Sequence, residues 1–557
     1  MKSSKKAVLS AGIATLLVLG TVGCDSGTGK SNSSSSSGEI SMFASPGVGV
    51  NLKTNAFTKY IEKKFNMQIN WVQAPSSDAS TKQSLLLSSG DYPDVFWSGS
   101  FSHQDILKYS QEGILVPLNS LIKKYAPNVW KGIQTVPGLK EDVTAPDGNI
   151  YGLPGVNYCF HCDWSNKMWI NTTLLKKYGL QMPTTTQQFT HVLQVFKQHG
   201  LIPLSGDTDG WNSEPFTYLM NAFIYDDGNT FTQGAQSDYF DIENGKVTFA
   251  PIQPQWKQGL EYVHTLYTEG LLDKQALSQQ STVLQREVAQ GKVGVIPGGT
   301  PGVVNYTPTS NNYKVWQTVP PLKGPDGVQY AAFYGMGSSG ATFTITNKAT
   351  KSQEIQLMKL LNFMWTPIGT ETFDYGPPGQ LWTLAKKGQL GMTGKQALFK
   401  TDWGKLIGPQ NEGYSQMGPM FQNEAWRNGD VAAPPFSYNG VNQSLLQLET
   451  EQFYAGHQPQ YVYPSGIAWI PSNEAEQYSL YQTNIDSFVE QWMSEFIIGS
   501  KSINQDWNTY VKGVENLSLK QYLQMAQTAM KQPFDTSSFK SDPADVKFLL
   551  SLKSGKN

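Results

Sequence analysis

The chain has 557 residues, with 42 Lys plus Arg against 44 Asp plus Glu and a formal net charge of −2, a balance that implies no nucleic-acid or other polyanionic partner. Charged residues are only 15%, below the usual ~25%, while aromatic residues reach 12%, with 15 Trp and 26 Tyr. Such a chain is long enough for two to four domains with ample core, and it suits uncharged ligands with apolar faces, of which sugars are the obvious class.

Lys2, Lys5 and Lys6 precede the apolar run Ala7–Gly20, and small residues then lead to Cys24. A basic lead, a short apolar core and a small-residue site read as a secretory signal over 1–23. The core is shorter than the roughly 20 residues a membrane span needs. Cys24 at the cut reads as the acylated N-terminal cysteine of a bacterial lipoprotein, with Thr21 where leucine is usual. The alternative is an ordinary cleaved signal with an incidental cysteine. Residues 24–38, rich in Ser and Gly, read as a flexible tether. After residue 38 no run of 18 apolar residues occurs.

The body opens with a strand at Ile40–Ala44, a helix at Asn55–Phe65 and a strand at Met67–Gln73. A helix at Ser80–Ser88 leads to the apolar strand Val95–Trp97, and helices follow at Gln104–Gln111 and Leu118–Tyr125. This β-α-β-α-β rhythm predicts parallel α/β layers. Gly148–Pro154 (GNIYGLP) reads as a hairpin-like turn ending in a strand. A second α/β segment starts at Trp169–Asn171, with helices at Asn171–Tyr178, Thr186–His199, Pro215–Phe223 and Ile252–Glu269. Gly291–Ile296 is a short buried strand. A strand near Tyr334–Ile345 runs into helix Ser352–Trp365. The last third reads as mostly helical: Ala475–Ile497, Asn504–Val511 and Leu519–Lys531.

Cys159 and Cys162, in Cys-Phe-His-Cys, are the other two cysteines. They fit a small disulfide, two free thiols, or a metal or redox pair, although no thioredoxin-like context surrounds them.

Several ordered blocks carry a family resemblance: LLLSSGDYPDVFW at Leu85–Trp97, QEGILVPLNSLIKKYAPN at Gln111–Asn128, YGLP at Tyr151–Pro154 and MWINTTLLKKY at Met168–Tyr178. Met182–Thr185, GKVG at Gly291–Gly294 and the tail Phe496–Gln527 continue it. The chain resembles family 1 extracellular solute-binding proteins, the receptors of ABC sugar importers. Its length and tail are similar to the large lipoprotein subgroup of Gram-positive bacteria. The resemblance implies a two-lobed periplasmic-binding-protein-like α/β fold of the class II type with helical C-terminal additions. Lobe membership would alternate: 39–160 plus about 340–400 in the first lobe, about 165–335 plus 400–557 in the second. The lobes would close on ligand by hinge motion. Expected partners are an oligosaccharide, the permease subunits and, through the lipid on Cys24, the outer face of the cell membrane. The protein is expected to act as a monomer without cofactor. Some large relatives carry a calcium loop; here Phe196–Pro203 lacks acidic ligands and Asp207–Gly210 lacks a closing Glu, so no calcium site is expected.

Candidate ligand residues follow from the chemistry of sugars, whose C–H faces stack on rings and whose hydroxyls need polar partners. Trp97 ends a strand just after Asp94, where an α/β cleft opens; the alternatives are a core indole and a structural turn acid. Trp211, Asn212, Glu214 and Phe216 open a helix, and the stretch resembles the Asn/Glu-Pro-aromatic segment of maltose-type receptors. The competing reading is a helix start in which Asn212 or Ser213 caps and Glu214 complements the dipole. Tyr334, at a lobe crossing, and Trp382, in Gly379-Gln380-Leu381-Trp382, are further candidates, and Trp164 is one by proximity to the hinge. No nucleophile elbow, zinc-protease helix or phosphate loop occurs. A carbohydrate sensor or adhesin is the main alternative, and a secreted glycan-active enzyme a further one.

Overall fold

In the computed structural model, which describes residues 39–157, 159–227, 238–301, 314–335, 340–406, 410–415, 417–437 and 443–553, strand β1 (Glu39–Ala44) splits its side chains between two cores. Ile40, Met42 and Ala44 enter one, and Phe43 enters the other. This period of two is that of a strand covered on both faces. The expected signal segment, Cys24 and the tether lie outside the described residues, as do residues 336–339 of the expected strand near Tyr334–Ile345.

β2 (Gln68–Gln73) and β3 (Val95–Phe96) flank β1, both parallel to it, as the β-α-β rhythm predicts. β4 (Gly152–Leu153) completes the first passage through this sheet. The chain then builds a second sheet from β5 (Met168–Asn171), β6 (Ile202–Leu204), β7 (Val293–Pro297) and β8 (Trp316–Val319), in the order β8-β5-β7-β6. Only β7 and β6 run parallel there. β9 (Phe343–Ile345) returns to the first sheet and lies antiparallel between β3 and β4. Both sheets are therefore mixed, where the local rhythm alone predicts parallel layers. The antiparallel strands come from distant parts of the chain, and local periodicity carries no record of such pairings.

Two large, separate apolar cores surround these sheets. The first gathers Ile40, Val95, Leu153, Phe343, Leu361 and Phe421, so it extends past the boundary expected near residue 400. The second gathers Met168, Leu204, Val295, Trp256, Met493 and Tyr522. We refer to them as the first and second lobes. The chain passes between them at residues 154–167, between β8 and β9, and after Phe421.

Helix ends follow local chemistry. Asn55 accepts from the N–H groups of Phe57 and Thr58, and Ser102 with Asp105 forms a capping box that starts helix His103–Gln111. Most expected helices appear within a residue or two. Pro215–Phe223 shortens to Phe216–Met220, and Asn504–Val511 extends to Ile503–Asn516. The expected strand near Tyr334–Ile345 narrows, among the described residues, to Phe343–Ile345. Helices Pro127–Thr135, Ser281–Ala289, Pro367–Tyr375, Ser444–Phe453 and Pro543–Lys553 are additional.

Candidate functional site

The expected candidates divide into core residues and a clustered set. Trp97 belongs to the core. It follows Val95 by two positions, so it points to the same covered face, and it is 0% exposed. Its indole meets Phe343 edge-on at 6.0 Å and Tyr414 at 6.3 Å, with Phe373 tilted at 6.5 Å. A sugar has no access to either face. Asp94 is a structural acid: its Oδ2 accepts from the N–H and hydroxyl of Ser41, both at 2.8 Å, tying the β3 entry to β1. Trp382 is buried against Phe399, and its Nε1 donates to the carbonyl of Gly376 at 2.7 Å. Trp164 is fully buried between Phe160 and Phe333, with Nε1 on Oε1 of Gln458. Phe216 is in the second core. In this structure the four rings are buried in the cores and Asp94 bonds to Ser41, so all five have structural roles.

Trp211, Asn212, Glu214 and Tyr334 come together on the second lobe. Gly298 and Gly299 follow β7, and the N–H of Gly299 donates to the carbonyl of Trp211 at 3.0 Å. The indole lies so close over Gly299 that a Cβ there would meet ring carbons at 2.5–2.8 Å. Only glycine permits this seat. One face of the indole is thus held by backbone, and the side chain remains 49% exposed, the only tryptophan among the large exposed apolar residues described. Asn212 adopts a left-handed φ of 51°, and its side chain is buried. Its Oδ1 shares the Tyr334 hydroxyl proton with Oδ1 of Asn166, at 3.1 and 2.7 Å. Its Nδ2 is buried with no protein partner. An orphaned buried donor costs about 1–3 kcal/mol, which an incoming hydroxyl oxygen would relieve.

Glu214 carries out the capping role. Its Oε2 accepts from the N–H groups of Phe216 at 2.6 Å and Thr217 at 3.2 Å. Burial pushes its carboxyl up to about 7, against the pull of those donors. Ser213 turns to Asp207 instead, whose Oδ1 also accepts from the Gly210 N–H at 2.6 Å. The stretch Asp207–Gly210 is a turn closed on Oδ1 of Asp207, with Oδ1 of Asp209 accepting from the N–H of Ser281. Cys159 and Cys162 form a disulfide, one of the states the sequence leaves open. With His161 they are the one group of metal-ligand types clustered among the described residues, and there the sulfurs are bonded to each other.

Beside Tyr334 a cavity of about 90 Å³ opens, walled by Tyr225, Phe333, Tyr334, Tyr463 and Phe534, with Asp227 also lining it. Sequence reasoning misses Tyr225, Tyr463 and Phe534. They come from three segments separated by up to three hundred residues, and only the fold assembles them.

An acid beneath this region gives a pH signature. Asp486, on helix Ala475–Ile498, is 6% exposed with both carboxylate oxygens unpartnered. Burial, then the carboxylates of Asp238, Glu490 and Asp227, push it from 3.8 up to about 8. The folded chain therefore keeps a proton that the unfolded chain releases. This contribution to stability falls as pH rises from about 4 to about 8 and is flat above. Asp486→Asn is expected to melt a few degrees above the parent at pH 8 and level with it near pH 4. An equal offset at both pH values would assign the effect to packing instead.

Comparison with known proteins agrees with this architecture. Residues 51–371 match the family model described as bacterial extracellular solute-binding protein. The fructooligosaccharide ABC transporter substrate-binding protein FusA of Streptococcus pneumoniae is 27% identical over 494 residues, 84% of this chain and 85% of its own. The polygalacturonan/rhamnogalacturonan-binding protein YtcQ of Bacillus subtilis is 22% identical over 314 residues, 55% of this chain and 58% of its own. Among solved structures, FusA in complex with kestose superposes with a TM-score of 0.70 at 22% identity, covering 88% of this chain and 98% of that one. An extracellular solute-binding protein from Bifidobacterium longum subsp. infantis gives 0.72 at 18% identity, covering 88% and 97%. These likenesses show the α/β periplasmic-binding-protein fold. With the family model spanning more than half of the chain, the protein belongs to the bacterial extracellular solute-binding proteins and is a receptor, not an enzyme.

Proposed function

We propose that the protein captures an uncharged oligosaccharide and delivers it unaltered to an ABC importer. The carrying observation is the half-exposed indole of Trp211, seated on Gly299 beside the unpartnered Nδ2 of Asn212. An indole face buries the C–H face of a pyranose or furanose, and Nδ2 of Asn212 donates to no protein partner, so a sugar hydroxyl oxygen completes it. The names of the relatives support the same class: FusA is a fructooligosaccharide receptor, and its structure holds kestose. Delivery requires the lobes to open and close about the three passages between them, a population shift driven by ligand contacts from both sides. Cys24, acylated after removal of residues 1–23, would hold the receptor on the outer face of the membrane. Cys24→Ser is expected to release the protein into the medium; retention with the cells would argue against the anchor.

The test is a thermal-shift panel of kestose, nystose, maltotriose, polygalacturonate oligomers and alginate oligomers. A neutral member at about 100 times its Kd should stabilise the fold by about 2.7 kcal/mol through mass action. Recovered sugar should be unshortened. Stabilisation by the acidic oligomers alone, or by none, would contradict the reading.

A further inference from the structure

The cavity beside Tyr334 and a contact between the lobes are joined by one short segment. Residues 463–467 line the cavity. They form a tight turn, in which the N–H groups of Ile467 and Ala468 both donate to the carbonyl of Pro464 at 3.0 Å. Two residues on, Trp469 leaves the second lobe. Its indole stacks on the ring of His103 at 3.9 Å with 13° between planes, and its Nε1 donates to the carbonyl of Glu141 at 3.0 Å. His103 starts helix His103–Gln111 of the first lobe, and its Nε2 lies 3.0 Å from Oδ1 of the buried Asp142. The roof of the cavity is therefore pinned to the opposite lobe.

The walls are built for a ring rather than for an ion. The hydroxyls of the three wall tyrosines are turned away: Tyr225 donates to the carbonyl of Phe333, Tyr463 to that of Ala526, and Tyr334 to Asn166 and Asn212. Their ring surfaces, with Phe333 and Phe534, face the space, while Asp227 and Ser465 bring polar atoms to its lining. Its volume of about 90 Å³ holds on the order of six waters.

We propose that this cavity is a terminal subsite for the end ring of a neutral oligosaccharide whose neighbouring ring rests toward Trp211, and that Tyr463–Trp469 is its roof, latched across the cleft by Trp469. This rests on the reading of the protein as a sugar receptor. Tyr334 connects the two places, since it lines the cavity and hydrogen-bonds Asn212. A ring entering the cavity touches the roof, and the Trp469 stack holds that roof against the first lobe, so release of the end ring requires the latch to open.

The experiment titrates the full chain with kestose, nystose and maltotriose by calorimetry and follows dissociation by stopped flow, for the parent, Ser465→Trp and Trp469→Ala. Ser465→Trp places an indole in the lining and should weaken the tightest sugar at least about tenfold. Trp469→Ala should speed its dissociation at least about fivefold. Circular dichroism checks that each variant is folded, and if Ser465→Trp is not, Trp469→Ala decides alone. Parent-like affinity and dissociation in the folded variants overturn the subsite while leaving the receptor reading intact. Failure of the parent to bind any of the three overturns both.

Discussion

Trp97→Ala is expected to lower the unfolding free energy by about 3–5 kcal/mol while leaving the sugar affinity of the folded protein unchanged. The indole is 0% exposed and is held by Phe343, Phe373 and Tyr414, which join three separate segments of the first lobe. Removing it leaves a cavity that aromatic neighbours cannot close, because their rings are already fixed against one another. Tyr414, for example, also meets Phe57 at 4.9 Å and Phe373 at 5.7 Å. The backbone of Gly418 is packed so tightly on Trp97 that a Cβ there would come within 2.6 Å of Nε1. Urea denaturation followed by circular dichroism measures the loss. A small loss of stability together with a large loss of affinity would return Trp97 to the ligand site.

Trp211→Ala has the opposite profile. The side chain already gives one face to Gly299 and exposes 49% of its surface, so folding loses little when it is removed. Ligand binding loses the other face. Covering roughly 100 Å² of indole at roughly 25 cal/mol per Å² is worth about 2.5 kcal/mol, and stacking contributes within the same range. Affinity for the bound oligosaccharide should fall roughly 10- to 100-fold, with the melting temperature of the free protein nearly unchanged. Calorimetry on the two variants side by side separates a core tryptophan from a binding tryptophan. Equal effects on both quantities in both variants would remove the distinction.

The contrast between these residues shows how far the sequence is legible. Trp97 and Trp211 look alike in sequence: each lies beside acids and glycines, one ending a predicted strand and the other opening a predicted helix. What separates them is coverage by residues far along the chain, Phe343 and Tyr414 in one case and Gly299 in the other. A strand period of two puts Val95 and Trp97 on one face, but it does not say that this face is sealed. Local signals were sufficient for most helices of the two α/β segments, where caps such as Asn55, Ser102 and Asn171 coincide with apolar periodicity. Thr366 and Pro367 offered the same kind of start signal for the unread helix Pro367–Tyr375. The stretch around Glu214 resembles a sugar-binding one, yet two backbone N–H groups at a helix start claim its carboxylate. The cavity beside Tyr334 was invisible to sequence because its walls meet only through the second core, and no spacing relates Tyr225 to Tyr463 or Phe534.

The most direct test of a sugar resting on Trp211 is fluorine NMR of protein labelled with 5-fluorotryptophan, with the Trp211 resonance assigned by Trp211→Phe. On saturation with the tightest oligosaccharide of the panel, that resonance should move more than any other tryptophan signal, and the Trp97 signal should stay near its free position. A Trp211 resonance unmoved at saturation would contradict capture on this indole.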